Sequence, residues 1–413
     1  MSDDRQFYAL YVTRFAGGFG FTTMVALLGK FINLFEPSPL FVGLFTTGLT
    51  LAQTAAVIPL AYAGDSYDKR AVLLGSLGLG VVAYALFGVV GSSASFVAAR
   101  AVQGVAVTGA GMMSLALIGQ LSPPDERAGH IGTANAFRLS AGVAGTLVAA
   151  ALYQFIGREV MAGVLAAVVA VAFVLVWLFL EPDDSGGRDA GFADLAFNRR
   201  IAALTGFRAQ YAVAVTLVRT WVPIYAGVSA ARGGLAMGAV AASVVVVAER
   251  FANMLAQPRM GRLSDRHGRA LFVLLGGSGY GLVALLVPLA PAAGGLFGVL
   301  VAVPGLGTFP ASFLPLVSLN AALGLADSLR EPASMALFAD EGADEGGIAS
   351  SFGVRELVWR PGSVAAPMLG GFLMADVGMS SVFHAGGIAA FSGVAVFYGA
   401  LRYAHGPQAV ATW

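Results

Sequence analysis

The chain has 413 residues, of which 57% are apolar and only 11% are charged. A soluble domain needs a polar surface, and about a quarter of its residues are charged. The mean hydropathy of +0.79 and the continuous apolar runs therefore indicate a membrane protein with several spanning helices. They exclude a cytosolic enzyme, a DNA-binding protein and a disordered tail protein. They also exclude a membrane β-barrel, whose strands alternate apolar and polar residues.

The net charge is +1 and cysteine is absent. We therefore expect no nucleic-acid partner, no disulfide and no thiolate metal site. The four histidines form no zinc motif, and no phosphate-binding loop G-x-x-x-x-G-K-[ST] occurs. We expect no cofactor, no metal and no enzymatic activity. The first apolar run is too long for the core of a cleavable signal peptide.

Spanning helices need about 20 apolar residues each, and charges, prolines and glycine clusters divide the chain accordingly. Six helices are predicted before a polar linker at 182–200 and six after it. The sequence thus predicts an all-α integral membrane fold of two pseudo-symmetric six-helix bundles, 1–181 and 201–413. The predicted helices are approximately 7–32, 41–63, 71–92, 94–121, 129–156, 158–181, 202–228, 233–257, 270–291, 308–338, 347–375 and 379–403.

One apolar stretch, Leu271 to Ala339, is longer than its counterpart in the first half and contains six prolines, five of them between 288 and 315. We interpret 291–318 as an extended or broken segment between helices. The alternative is a thirteenth spanning helix, which would place the C-terminus outside.

The positive-inside rule orients the chain, because short cytoplasmic loops carry an excess of lysine and arginine. Three basic residues fall on the opposite side: Lys30, Arg158 and Arg232. We predict that both termini are cytoplasmic and that the protein lies in the plasma membrane. The basic residues placed inside are Arg5, Lys69, Arg70, Arg127, Arg188, Arg199, Arg200, Arg259, Arg262, Arg266, Arg269 and Arg402.

Two loops in the two halves have similar sequences. The loop A-Y-A-G-D-S-Y-D-K-R begins at Ala61, and G-R-L-S-D-R-H-G-R-A begins at Gly261, so that Asp65 and Asp265 occupy the same position. A second pair of segments, I-G-T-A-N-A-F-R at 131–138 and I-A-S-S-F-G-V-R at 348–355, also matches. Corresponding loops in two six-helix halves predict a parallel repeat about the membrane normal.

The sequence resembles the major facilitator superfamily in its twelve-helix prokaryotic or archaeal form. The family signature G-x-x-x-D-R-x-G-R-[RK] is matched by Gly261, Asp265, Arg266, Gly268 and Arg269, with Ala270 in the last place. The first-half copy keeps the charges of Asp65, Lys69 and Arg70 but has Ala61, Ser66 and Asp68 where the signature has glycine, arginine and glycine. The helix-4 pattern R-x-x-Q-G appears as Arg100, Gln103 and Gly104.

The resemblance implies a secondary transporter in which two bundles rock around a central site, with the signature loop as a conformational switch. A physical argument supports the switch: an aspartate at a helix end accepts hydrogen bonds from the free N–H groups at a neighbouring helix N-terminus, where the dipole favours an anion. We assign this role first to Asp265 and then to Asp65. The alternative is that the basic loop residues only set topology.

Ionisable residues at membrane depth are costly and usually face an interior cavity. The acids in the apolar runs are Glu249, Asp327, Glu331 and Glu356. A desolvated carboxylate beside a cation suits proton coupling, so these four are the candidate proton-carrying residues. The alternative is a static network of ion pairs that fixes helix packing.

Arginines outnumber acids in these runs, which favours a site for an anionic solute. We expect Arg100, Arg138, Arg219 and Arg355 to face a cavity without a protein partner. Arginines at these positions are also common in the family without an anionic substrate. The candidate cavity residues are Arg138, Arg219, Arg330, Arg355, Trp359 and Arg360.

The sequence therefore predicts a monomeric secondary transporter in the lipid bilayer that moves a small solute by alternating access, with proton coupling and an organic anion as the favoured solute. The alternative within transport is a proton-driven multidrug-type efflux antiporter. A sensor or scaffold on a transporter fold is a third reading, although no long soluble appendage is present. A membrane-embedded enzyme is a fourth, although no clustered metal-binding or nucleophilic residues are present.

Overall fold

The computed structural model of the chain describes residues 2–36, 39–183, 199–296, 300–303, 307–345 and 347–406. Helices make up nearly all of this part, as the long apolar runs predict. Their bounds are α1 Ser2–Ala26, α2 Leu28–Phe35, α3 Pro39–Ser66, α4 Lys69–Val89, α5 Ser93–Leu121, α6 Arg127–Phe179, α7 Arg199–Gly227, α8 Ala239–His267, α9 Arg269–Leu286, α10 Ala290–Gly294, α11 Phe313–Asp344, α12 Ile348–Asp376 and α13 Met379–His405, with 3-10 turns at Ala230–Arg232 and Val287–Leu289.

Several predicted helix boundaries differ from the structure, as in Ala239–His267 and Phe313–Asp344, which were predicted at 233–257 and 308–338. The predicted first helix, 7–32, is divided at Leu27 into α1 and α2. The predicted helices 129–156 and 158–181 form the single element α6, interrupted at Gly157, whose φ of 81° and ψ of 167° are not helical. A residue with a side chain rarely adopts this φ, so glycine marks the connection between the two arms.

The two arms of α6 pack against different helices. In the first arm, the backbone of Arg138 lies against Gly18 of α1. In the second arm, Val169 and Ala162 lie against Gly80 and Gly88 of α4. Glycines at these contacts let the helices approach closely, as is usual in membrane proteins.

The long apolar stretch between α10 and α11 contains a β-hairpin. Strand β1, Leu300–Val303, pairs antiparallel with β2, Gly307–Pro310, with Leu300 opposite Pro310. Apart from this hairpin, the regular elements of the described residues are helices, so the all-α prediction is confirmed. The interpretation as an extended or broken segment is confirmed, since the described residues between Gly294 and Phe313 form no spanning helix.

Backbone contacts divide the described residues into two compact units. Unit 1 comprises those within 1–197 and 338–357, and unit 2 comprises those within 198–337 and 358–413. Helices α11 and α12 each contribute to both units. Most of the predicted linker, from 184 to 198, lies outside the described residues.

Seven described helices are long and apolar enough to cross a membrane. Charged and small polar residues lower the hydropathy of others, such as α11 and α12. The seven segments are Lys69–Val89, Ser93–Leu121, Phe155–Phe179, Arg200–Gly227, Val240–His267, Arg269–Gly294 and Met379–Tyr403.

Candidate functional site

A row of polar side chains runs along one face of α8. Glu249, Asn253 and Gln257 are each four residues apart, so they fall on the same side of the helix, and all three are buried. Gly324 of α11 brings the two helices together: a Cβ at Gly324 would lie 2.1 Å from the carbonyl oxygen of Glu249. The close approach places the row of α8 against the charged face of α11.

Arg219 of α7 bridges the two helices. Its Nε donates to Glu249 Oε1 at 2.7 Å, and its Nη2 donates to Asp327 Oδ2 at 2.8 Å. One guanidinium therefore holds two carboxylates that are 78 residues apart in sequence (327 − 249). Such charge-assisted bonds are among the strongest that side chains form.

Asp327 is the most heavily bonded acid of the cluster. In addition to Arg219, it accepts from Arg330 Nε at 3.0 Å and from Asn253 Nδ2 at 3.3 Å. Asp327 and Arg330 are three residues apart, so they lie on the same face of α11. The side chains of Asp327 and Arg330 are 1% and 4% exposed, so this ion pair is fully buried.

Glu331 is connected to the same cluster through amide side chains. Gln257 Nε2 donates to Glu331 Oε2 at 2.8 Å and to Asn253 Oδ1 at 3.0 Å. Asn253 in turn donates to Asp327, so a continuous hydrogen-bond chain joins the two acids of α11. Asn253 and Gln257 were not among the predicted site residues, although they continue the four-residue spacing of polar residues from Glu249 in an otherwise apolar helix.

Exposure distinguishes the members of the cluster. The Arg219 side chain is 40% exposed, whereas that of Glu249 is 8% exposed. Arg219 and Arg330 balance the charges of Glu249 and Asp327. An arginine in the middle of an apolar helix is expensive in contact with lipid, so its exposed part indicates access to water.

Two tyrosines complete the surroundings of the cluster. The guanidinium of Arg330 lies 4.2 Å from the ring centroid of Tyr211, a cation–π contact. The Tyr211 and Tyr280 rings are 5.3 Å apart. Both hydroxyl groups are buried and have no hydrogen-bond partner among the described residues.

Several other predicted site residues have contacts of their own. Glu356 accepts from the neighbouring Arg355 at 2.8 Å, and both belong to unit 1. The Trp359 ring lies 4.7 Å from the guanidinium of Arg208. Arg138 and Arg360 are half-buried, and their role in a cavity remains a prediction.

The expectation that four arginines lack protein partners is wrong for at least three of them. Arg219 and Arg355 form ion pairs with acids. Arg100 donates to the carbonyl oxygen of Phe45 at 3.1 Å and to Gln103 Oε1 at 2.7 Å. A buried charge is too costly to leave unpaired. The partners of Arg219 and the Phe45 carbonyl lie on other helices, which a linear sequence does not show.

The helix-4 pattern joins three helices of unit 1. Gln103 Nε2 donates to the Tyr84 hydroxyl of α4 at 3.0 Å. Arg100 donates to the carbonyl oxygen of Phe45 in α3. A Cβ at Gly104 would lie 2.7 Å from the carbonyl oxygen of Leu49. The pattern therefore fixes the packing of α3, α4 and α5.

Asp65 contacts the N-terminus of a neighbouring helix. Its carboxylate accepts from the backbone N–H groups of Ala349 at 3.0 Å and Ser350 at 2.8 Å, in the first turn of α12. The free N–H groups and the dipole of a helix N-terminus favour an anion there. Burial raises the pKa of the Asp65 carboxyl, and the bonds from Ser350 and Ala349 act in the opposite direction.

A second contact within unit 1 involves the end of α11, shortly before Ala349 in the chain. Arg127, at the start of α6, forms an ion pair with Asp340 near the end of α11. We call the contacts of Asp65 with α12 and of Arg127 with Asp340 the helix-end clamp. The sequence assigned Arg127 only a role in topology.

The basic residues of the first-half loop bind the end of α6 and the beginning of the predicted linker. Lys69 Nζ lies 3.0 Å from Asp183 Oδ2, and Arg70 Nη2 donates to the Trp177 carbonyl at 2.7 Å. Asp68, which replaces a signature glycine, accepts from the Asp183 N–H at 3.1 Å. Asp68 and the two basic residues therefore each have a partner in this part of the structure.

Two charged residues of the second-half loop form an ion pair with each other. Asp265 Oδ1 accepts from Arg269 Nη2 at 2.7 Å, four residues later. Gly268 between them has a φ of 97°, a conformation that residues with side chains rarely adopt. Gly261 accepts from Ser264 Oγ at 2.7 Å, and Arg266 is exposed.

Comparison with known families identifies this arrangement. The sequence matches the family model of the Major Facilitator Superfamily over residues 10–304, well over half of the chain. The chain belongs to the major facilitator superfamily. It is a multi-pass membrane protein, and the membership indicates a secondary transporter rather than an enzyme. No curated protein sequence matches the chain.

Solved structures agree with the family. One is a variant of the E. coli fucose:proton symporter FucP, with a TM-score of 0.74. Another is FucP in the outward conformation, with a TM-score of 0.73. Each is 14% identical to this chain, covers 97% of it and is itself covered to 99%. At this identity the likeness shows the fold alone.

Proposed function

We propose that the chain carries a small organic anion together with a proton across the plasma membrane by alternating access. The two moving bodies are the predicted bundles, 1–181 and 201–413, and both termini are cytoplasmic. The observation that carries the proposal is Arg219, which is accessible to water and at the same time holds Glu249 and Asp327. The fucose:proton symporter with the same fold supports proton coupling.

Competition for Arg219 couples the two ligands. A carboxylate- or phosphate-bearing solute binds the exposed side of the guanidinium and weakens its bond to Glu249. Glu249 then lies buried without its cation, and burial disfavours the charged form of a carboxyl. It therefore takes up one proton as the anion binds, and releases it when the anion leaves and Arg219 returns.

Burial and bonding rank the candidate acids, which the sequence left in no order. Among the described residues, Glu249 has one charged partner, Arg219, whereas Asp327 has two, Arg219 and Arg330. Asp327 therefore keeps a cation when the solute binds, and Glu249 does not. Glu249 is the proton carrier, and Asp327 holds Arg219 and Arg330 in place.

The test uses purified protein in liposomes that contain a pH-sensitive dye. Organic anions, sugars, amino acids and cationic drugs are added in turn, and proton flux and solute uptake are both recorded. We expect an organic anion to drive proton flux into the liposomes. If cationic drugs drove proton flux in the opposite direction, the result would instead support the efflux antiporter. If the folded protein moved none of the solutes and no protons, the result would support a non-transporting role.

Two matched variants locate the coupling. Glu249→Gln should abolish solute-driven proton flux while exchange of labelled for unlabelled solute continues, because exchange needs no net proton movement. Glu356→Gln is the control, since it makes the same change at an acid outside the cluster. Equal proton flux in Glu249→Gln and wild type would refute the assignment.

A further inference from the structure

A small cavity lies beside Glu249. Its volume is about 10 Å³, and its polar lining comes from Arg219, Glu249, Tyr280 and Asn320. A water molecule needs roughly 10–15 Å³ of such volume and two to four polar partners. The cavity is therefore the size of one water molecule and too small for the proposed solute.

Tyr280 supplies one polar group that has no protein partner. Its side chain is fully buried, and its hydroxyl finds no hydrogen-bond partner among the described residues. Buried polar atoms are nearly always hydrogen-bonded, to protein or to ordered water. The ring packs against Tyr211, which holds the hydroxyl in position at the cavity.

Pro223 supplies a second polar group indirectly. It lies inside α7 and lines the same cavity. Because proline has no N–H, the carbonyl oxygen of Arg219, four residues earlier, lacks its helical donor. With the Glu249 carboxylate, the cavity thus has one hydroxyl donor and two oxygen acceptors within its lining residues.

We propose that this cavity binds a single water molecule, which accepts from the Tyr280 hydroxyl and donates to the Glu249 carboxylate and to the Arg219 carbonyl. This water also relays the proton of Glu249, a role that rests on the proposed function. In the relay, the water gives one proton to a Glu249 oxygen and regains one from a hydronium ion in the open water. Only O–H bonds form and break, and Tyr280 acts as a positioning residue.

The first experiment detects the water independently of transport. Short X-ray pulses make hydroxyl radicals from bound water, and mass spectrometry measures the oxidation of adjacent side chains. We expect Tyr280 to be oxidised several-fold faster than Tyr84, which is equally buried but whose hydroxyl accepts from Gln103. Equal rates for the two tyrosines would overturn the proposal.

A cavity-filling pair of variants checks that the signal comes from this site. Val222→Ile adds a methylene at a lining residue, whereas Val215→Ile adds it at a buried residue of α7 outside the lining. Val222→Ile should reduce oxidation of Tyr280 to the rate of Tyr84, and Val215→Ile should leave it unchanged. Retention of fast oxidation in Val222→Ile would place the water elsewhere and refute the site.

The second experiment tests the relay. Tyr280→Phe removes one oxygen and should lower solute-driven proton flux about tenfold, the effect of one lost hydrogen bond near a charged group. Solute exchange should be unchanged, which a general structural defect would not allow. Unchanged proton flux, or an equal loss of exchange, would refute the relay. Solute movement without protons in wild type would refute the proposed function, while the oxidation rates still decide the water site.

Discussion

The substitution Asp327→Asn should destabilise the protein more than any other change of an acid to its amide in the cluster. Asp327 is 1% exposed and lies between Arg219 and Arg330, and Arg330 is itself 4% exposed. The amide keeps the size of the side chain but removes its charge. Arg330 is then left buried without a carboxylate.

The expected magnitude follows from the burial of this pair. Removing one partner of a buried ion pair costs about 3–5 kcal/mol, mainly because the other charge stays uncompensated. Unfolding entropy is about 2.1 cal/mol/K per residue, or roughly 0.9 kcal/mol/K for a chain of this length, so the unfolding temperature should fall by about 3–6 °C. Glu249→Gln should cost less, since Arg219 keeps Asp327 as a partner and is partly in water.

Thermal unfolding in detergent, followed by the fluorescence of the four tryptophans, measures both variants against wild type. The double variant Asp327→Asn with Arg330→Gln removes the uncompensated charge and should recover part of the loss. An unfolding temperature of Asp327→Asn within about 1 °C of wild type would refute the reasoning, because it corresponds to less than about 1 kcal/mol. A double variant no better than the sum of its single changes would refute it equally.

Two further predictions concern helix contacts. In the helix-end clamp, either Arg127→Asp or Asp340→Arg alone places like charges together and should lower both the unfolding temperature and the uptake rate. The double exchange should restore both quantities. If the double variant restored neither, the ion pair would contribute nothing. Gly324→Ala should cost about 1–3 kcal/mol or more through its clash with Glu249, whereas Gly371→Ala, with no atom within 4 Å of the added Cβ, should be neutral by thermal unfolding.

Local features of the fold were predictable from the sequence because each depends on neighbouring residues. Apolar runs of sufficient length predict helices whatever their partners are. Gly157 separates two apolar runs in the sequence and also breaks α6 in the structure. The prolines from Pro288 to Pro315 predicted a broken segment, but the antiparallel pairing of Leu300–Val303 with Gly307–Pro310 depends on backbone hydrogen bonds that composition does not specify.

The site was predictable only in part because its bonds join distant segments. Glu249 and Asp327 stood out as acids inside apolar runs, but nothing in the sequence indicated that one arginine of α7 holds both. For the same reason the sequence did not indicate which helix Asp65 contacts. The contact of Asp65 depends on the N-terminus of α12, which lies 284 residues away.

The division of labour within the cluster follows from the unequal exposure of its two arginines. If both were buried, each carboxylate would keep its partner and the network would be a fixed packing device. Because Arg219 is 40% exposed while Arg330 is 4% exposed, one end of the network is open to an incoming anion and the other is not. The exposed end includes Glu249 and the water-sized cavity. In the proposed mechanism, a solute that displaces Arg219 therefore favours the neutral form of Glu249. In this proposed mechanism, proton coupling therefore requires no movement of Asp327 or Arg330, and the buried pair can stay intact throughout the transport cycle.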